Sequence, residues 1–352
     1  MIAAFAYANP RTQRVRLIEE GQEPDTSLLG QNHLASHGIE ATIVEPFLQR
    51  AQPQSPVLAR VAWNVRELTL PWELGGADVV CTTMGPAAAL AARLRPHLRT
   101  ILFNINLCTR LERASSAQRA FLATAVRSAD AVVCFADAQR ERLLEQTHAE
   151  PSRVHTCLLG VDERFLTPKH SPPPNGHVLA VGRDLARDYV TLAVAVAGLR
   201  RPVVLVASEK NLTAVELPPN VEVRLDVSAT ELRALYDEAS CVVIPTRSED
   251  FRYGADCSGQ TVLLDSFAMA RPIVISARST LKGYADDELN SLVVPPERPE
   301  SLRAAINRVL GDDDLARRLG AAGRAAVEQR FTTRTFSASL APIIKSVAGQ
   351  RR

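Results

Sequence analysis

The sequence predicts an α/β protein made of two doubly wound, parallel-sheet domains, and three observations carry that expectation. Short apolar runs alternate with amphipathic helical patterns along almost all 352 residues, the order expected of parallel sheets with helices on both faces. The runs are near-continuous in Val, Ile and Ala rather than alternately apolar and polar, as strands buried on both sides require. Finally, TPKHSPPPNG at 167–176 can continue neither helix nor strand and reads as a linker.

The elements follow in order. IAAFAYA, ATIVEP, ADVVCTT, RTILFNI and DAVVCFA read as strands of the first half, with AAALAARL and AQRAFLATAVRSA among its helices. HVLAVG, PVVLVAS, VEVRLDV, CVVIP and PIVISA read as strands of the second half, where TELRALYDEAS and SGQTVLLDSFAMA are helical. The boundaries that result are 1–168 for the first domain, 169–176 for the linker and 177–330 for the second domain. The amphipathic closing segment, from about 331 to 352, is expected to pack back on the first domain.

Composition narrows the function. With 41 basic and 39 acidic residues the formal charge is +2, which gives no electrostatic footprint for nucleic acid. No apolar run approaches the roughly 20 residues of a membrane span, which leaves only peripheral membrane contact open. MIAAFAYANPRTQ has no basic region before its apolar stretch, so no signal peptide is expected. The six cysteines contain no CxxC and several sit in strand-like runs, which reads as buried free thiols in a reducing, cytoplasmic setting. Abundant Ala and Arg with little Lys suggests a bacterial, high-GC source.

Two stretches carry chemistry. In HVLAVGRDLARDYVTLAVAVAGL a strand ends at Gly182, Arg183 and Arg187 follow about one helical turn apart, and a helix begins near Asp188. Strand, glycine turn and helix start present backbone N–H groups to an anion, and two guanidinium forks could share one diphosphate. Solvated surface arginines are the plainer alternative. In CSGQTVLLDSFAMARPIVIS (257–276), Ser258 or Thr261 can cap a helix and Gly259 lets a ligand approach the backbone. Asp265 then falls one to two turns into that helix, a position Asp does not favour. A ribose hydroxyl near the helix N-terminus would account for it, and an exposed helix residue is the alternative.

These motifs, with VEVRLDVSATELRALYDEASCVVIPTRSED and LNSLVVPPERPESLRAAINRVLGDDDLARRLGAAGRAAVEQRFT, resemble the donor domain of retaining GT-B glycosyltransferases of the family 4 type, also called glycosyl transferases group 1. The first half is similar more loosely, in SADAVVCFADAQRERLLEQ and RVHTCLLGVDERFLTP. The resemblance implies GT-B architecture, two Rossmann-like domains facing a cleft. It implies a metal-independent, retaining hexosyltransferase that needs no cofactor and takes a nucleoside-diphosphate sugar, UDP- or GDP-linked, to a small-molecule or glycan acceptor. Arg183 and Arg187 then hold the diphosphate and Asp265 the ribose. Gly182, Ser258, Gly259, Gln260 and Thr261 offer contacts to phosphate and sugar, and the Leu225–Val227 loop, Val227 included, contacts the base.

Departures from the pattern also matter. Cys257 stands at the first position of the family's glutamate pair, with Asp256 beside it, so Asp256, Glu249 or Asp250 is the substitute expected to meet the sugar. No histidine follows the strand TILFNINLCTR, where Asn104, Asn106 and Thr109 stand instead, and Asn106 is the catalytic candidate of that half. His97 reads as a helix-end residue. The altered pair keeps two other readings open: a non-catalytic GT-B-like subunit binding a nucleotide or partner, and a nucleotide-sugar epimerase on the same fold.

Overall fold

The computed structural model describes residues 1–45, 56–95 and 97–349. It divides into two compact units. The first comprises Met1–Glu20, Asp25–Leu158 and the segment from Thr333 onward; the second comprises Gly21–Pro24 and Leu159–Thr332.

The first unit holds six parallel strands: β1 (Ile2–Ala6), β2 (Glu40–Ile43), β3 (Val79–Thr82), β4 (Arg99–Phe103), β5 (Ala131–Cys134) and β6 (Val154–Thr156). Their order is β2-β1-β3-β4-β5-β6. β3, β4 and β5 are buried at every position, which is why their sequences carry no in-out alternation. The C-terminal helix Thr333–Gly349 belongs to this unit. Its Phe336 ring lies 6.5 Å from Phe103 and 6.3 Å from Phe135, centroid to centroid.

The second unit holds β7 (His177–Val181), β8 (Val203–Val206), β9 (Val221–Arg224), β10 (Ala239–Ile244), β11 (Ile273–Ser276) and β12 (Leu292–Val294). The sheet runs β12-β11-β10-β7-β8-β9 and is parallel throughout. Every strand expected from the sequence is present. β6 and β12 were not anticipated as separate strands, because three residues are too short to show a period and each gains its place only by pairing at a sheet edge. Val178, Ala180, Val243 and Val274 pack with Leu192 and Ile306 in the core on one side of the sheet.

The division between the units falls at Leu158/Leu159, upstream of the boundary at 168. Hydrogen bonding within the second unit explains the difference. The Leu159 N–H donates to Tyr284 Oη at 2.6 Å, Val161 N–H to the Phe331 carbonyl at 2.8 Å, and Arg324 Nη1 to the Leu166 carbonyl at 2.9 Å. Segment 169–176 therefore does not join the two units. It is a strap on the second, and its carbonyls meet Arg271, Arg201 and Ser240.

Arg271 anchors that strap from inside. Its residue is fully buried, and its guanidinium donates to the carbonyls of Met269 at 2.6 Å, Asp237 at 3.2 Å and His170. Met269 and Asp237 lie at the C-terminal ends of the helices Gln260–Ala268 and Ala229–Glu238, where carbonyls lack helical partners and a cation is favoured. Burial lowers its pKa to about 10, against the raising influence of Asp237. Arg271→Leu removes donors from three carbonyls at once and should lower stability by roughly 3–5 kcal/mol. Urea unfolding of the two proteins checks this; a loss below about 1 kcal/mol would show that the strap is held by other contacts.

Candidate functional site

In the second sheet β7 is followed by β8 and β9 on one side, and the chain then returns to lay β10 on the other side of β7. The order of the strands reverses between β7 and β10, and the carboxyl ends of strands at such a reversal are the position where open α/β sheets bind ligands. Residues 182–187 follow β7 and residues 245–259 follow β10, so the two stretches singled out in the sequence meet at this point.

Gly182–Arg187 is not helical. The helix starts at Tyr189, and Asp188 is its N-cap, with Oδ1 accepting from the Thr191 N–H at 3.1 Å. The expected one-turn spacing of Arg183 and Arg187 is thus corrected. The segment closes a turn, with the Arg187 N–H donating to the Asp184 carbonyl at 3.1 Å, and backbone bonds hold it to the other loop, Arg247 N–H to the Ala186 carbonyl at 2.8 Å and Asp188 N–H to the Pro245 carbonyl at 3.1 Å. Arg183 is exposed and donates through Nη2 to the Leu225 carbonyl at 2.7 Å. That bond brings the Leu225–Val227 loop beside the arginine; Leu225 is exposed and Val227 half-buried.

Arg187 is only 6% exposed, and its Nε and Nη1 have no hydrogen-bond partner. A Cβ on Gly182 would fall 2.1 Å from Arg187 Nε, and one on Gly259 would fall 3.3 Å from Nη1. Two glycines with positive φ, 153° and 99°, therefore bound the guanidinium. Thr246 pairs with Arg187 through an isolated antiparallel bridge, and its Oγ1 is likewise buried and unpartnered. A buried cation with open donors costs several kcal/mol unless an acceptor meets it.

The helix Gln260–Ala268 has Gly259 as N-cap with no side-chain cap bond, which corrects the expectation that Ser258 or Thr261 caps it. Ser258 Oγ instead donates to Asp184 Oδ1 at 2.8 Å, and Thr261 is exposed. Of the first-turn N–H groups at the positive end of the helix, that of Gln260 donates to the Cys257 carbonyl at 3.3 Å, while those of Thr261 and Val262 have no side-chain cap. Gln260 is fully buried; its Nε2 donates to the Thr280 carbonyl at 2.7 Å, and its Oε1 has no partner.

Asp265 is half-buried as a residue, and desolvation of its carboxyl pushes the pKa up to about 7. Among the described residues no group donates a hydrogen bond to it. Its charge also helps hold the buried Tyr236 phenol well above the usual tyrosine range, after burial itself, so the two lie close together.

The substitutes weighed for the first glutamate separate by burial. Asp256 is enclosed, 1% exposed, and its backbone carbonyl accepts from Arg278. Glu249 accepts from the Ser279 N–H, Asp250 is exposed and Cys257 half-buried. Asn106 belongs to the first unit, exposed at the end of β4, where it is the N-cap of the helix Leu107–Arg113 without a side-chain cap bond. That cap comes from the fully buried Asn104, whose Oδ1 accepts from the Leu107 N–H at 2.8 Å. Thr109 is buried in the same helix, and His97 is exposed before β4, at the opposite end of the strand from Asn106. Thr246, Tyr236 and Asp184 belong to the site and were missed. Only Thr246 had an available signal, as the second residue after a strand's carboxyl end. Among the described residues no group of three or more His, Cys, Asp or Glu could hold a metal ion, and no helix is long and apolar enough to cross a membrane.

Residues 177–312 match the glycosyl transferases group 1 family. The D-inositol 3-phosphate glycosyltransferase of Kineococcus radiotolerans is 28% identical over 241 residues, covering 57% of this chain and 53% of that protein. The chain thus spans about half the length of such curated relatives. Among solved structures, the sucrose-phosphate synthase of Thermosynechococcus elongatus superposes with a TM-score of 0.74 at 17% identity, covering 98% of both chains. HepE of Anabaena, solved with UDP and glucose, superposes with a TM-score of 0.70 at 13% identity, covering 98% of this chain and 100% of that one. The chain has the GT-B fold.

The raised Asp265 pKa predicts a pH-dependent stability. Below about 3.8 both folded and unfolded carboxyls are protonated and the group contributes no penalty. Between there and about 7 the unfolded chain ionises first, so stability falls by at most roughly 1.4 kcal/mol per pH unit and then levels off. Asp265→Asn should therefore match the wild type near pH 4 and exceed it near pH 8. Urea unfolding at both pH values would contradict this with an equal difference at each.

Proposed function

We propose that the chain transfers a sugar from a nucleoside-diphosphate sugar to an acceptor hydroxyl, with retention of anomeric configuration. The observation that carries this reading is the buried, unpartnered Arg187 guanidinium, bounded by two glycines beside an uncapped helix N-terminus. A diphosphate is the ligand class that answers both features. It brings several acceptor oxygens and two negative charges, and the backbone can approach it only where side chains are lacking.

In this reading Arg187 and the N–H groups of Thr261 and Val262 hold the diphosphate, and Arg183 closes over it from its place on the Leu225 carbonyl. As the glycosidic bond to phosphate breaks, negative charge grows on the departing oxygen. These fixed donors stabilise it without rearranging, which is where most of the rate enhancement would arise. Positive charge for the leaving group is supplied by the chain itself, so the reading assigns no step to a metal. Attack of the acceptor on the face the leaving group vacates gives retention, and the departing phosphate oxygen takes the acceptor proton. Asp265, with an open carboxylate one to two turns into the helix, accepts from the ribose hydroxyls. Asp256 and Asn106 stay assigned to the donor sugar and the acceptor side. Binding of UDP and glucose by the structural neighbour HepE favours uridine over guanosine nucleotides as the first to try. The reaction places the protein where its donor is made, in the cytoplasm of a bacterial-type cell.

Thermal shift with UDP, GDP, dTDP and ADP tests the donor site. A nucleotide present at about 100 times its dissociation constant should stabilise the wild type by roughly 2.7 kcal/mol, and Arg187→Ala should abolish the effect. Absence of any shift for the wild type with all four nucleotides at millimolar concentration would remove the reading. Binding without turnover of any sugar nucleotide would turn it into the non-catalytic one, which Cys257 at the altered pair favours.

Ribose hydroxyls donate to the ionised form of Asp265, so binding should lower its pKa from about 7. Below pH 7 binding then releases a proton, and affinity climbs with pH up to about 7 and levels off beyond it. Calorimetry in buffers of different ionisation enthalpy reads that proton directly; affinity flat from pH 5.5 to 8 would detach Asp265 from the ribose.

A further inference from the structure

We infer that Asp184 is the positioning residue of this site, a carboxylate that clasps the loop after β7 to the loop after β10 so that Arg187 and the helix N-terminus face one anion together. The inference rests on the donor-site reading above. Asp184 Oδ1 accepts from the Ala186 N–H at 3.0 Å within its own loop and from Ser258 Oγ at 2.8 Å in the other. Oδ2 accepts from the Ala255 N–H at 2.7 Å. Ser258 immediately precedes the helix N-cap Gly259, and Ala186 immediately precedes Arg187, so two of the three anchored positions adjoin the two groups that would hold the diphosphate.

The clasp extends to a third loop. The Asp184 carbonyl accepts from Asn211 Nδ2 at 2.8 Å, and Asn211 is itself held by Ser208 Oγ donating to its Oδ1 at 2.6 Å. Ser208 and Asn211 follow β8, so the loops after β7, β8 and β10 are tied at one residue. Space is reserved for it: a Cβ on Gly254 would fall 2.4 Å from Asp184 Oδ1.

A carboxylate here is informative because it is the wrong charge for a ligand contact. Beside a diphosphate its field opposes binding, so electrostatics alone makes it a liability. Geometry acts in the opposite sense. Three charge-assisted hydrogen bonds to one carboxylate are stronger than neutral ones and prearrange the cradle before the ligand arrives. The same residue therefore gives opposite predictions for Asp184→Asn. Removal of repulsion would tighten diphosphate binding. Loss of the clasp would weaken it, because the amide can accept through one atom only and presents a donor to the Ala255 N–H or to Ser258.

The experiment compares the wild type with Asp184→Asn and Ser258→Ala, measuring by calorimetry the affinity for a nucleoside diphosphate and for the matching nucleoside. The ratio of the two affinities isolates the diphosphate contribution, and a general loss of folding would lower both together. We expect that ratio to fall about tenfold in Asp184→Asn and by less in Ser258→Ala, with nucleoside affinity unchanged. Amide hydrogen exchange without nucleotide provides the second measurement: Ala186 and Ala255 should exchange faster in Asp184→Asn. A ratio that is unchanged or increased in Asp184→Asn overturns the inference, as do unaltered exchange rates at both amides. A wild-type ratio near one is a different failure; it removes the donor-site reading on which the inference rests.

Discussion

One buried guanidinium organises the second unit. Arg187 is enclosed yet keeps two donor nitrogens without protein partners, so the folded chain carries a desolvation cost of several kcal/mol that it does not itself offset. Such a cost persists only where surrounding structure imposes it. Here the backbone does so, through the bridge to Thr246 and the bonds Arg247–Ala186 and Asp188–Pro245. The side chain itself runs against Gly182 and Gly259, one on each of the two loops.

The residues around it work as counterweights without neutralising it. Asp188 is fully buried; one carboxylate oxygen caps the helix from Tyr189, and Arg247 Nε approaches the same oxygen at 3.6 Å. Asp184 is saturated by donors of two loops. Asp184 and one oxygen of Asp188 are thus spent on backbone geometry, Asp188 Oδ2 is left without a partner, and the guanidinium keeps two donor nitrogens free. The division of labour follows from position: acids fix the loops, and the base is left with donors that no protein acceptor meets.

A second buried arginine of this unit shows the contrast. Arg271 has its guanidinium occupied by carbonyls at two helix ends and on the strap 169–176, so its charge is spent on structure. Both arginines follow a strand or a helix in the same unit, and both are nearly inaccessible. What separates them is whether the fold brings acceptors to them. Site and scaffold are told apart by partners, not by burial.

Much of this was legible in the amino-acid order. Strands buried on both faces leave near-continuous apolar runs, and the less buried β2 and β9 keep enough β-branched residues to be read beside them, so ten of the twelve strands among the described residues, and with them the α/β class, followed from local pattern. Gly182, Arg187, Gly259 and Asp265 were legible because each is locally out of place: glycines at element junctions, an acid inside an apolar helix. Tertiary structure decided the rest. Ser258 serves Asp184 rather than its own helix, Asp184 joins loops some seventy residues apart in the chain, and segment 167–176 is a strap because Arg271 lies beneath it. None of these choices leaves a local trace. A hydrogen bond between distant loops depends on strand order, and periodicity, which is a property of neighbours along the chain, carries no information about which strand comes to lie beside which.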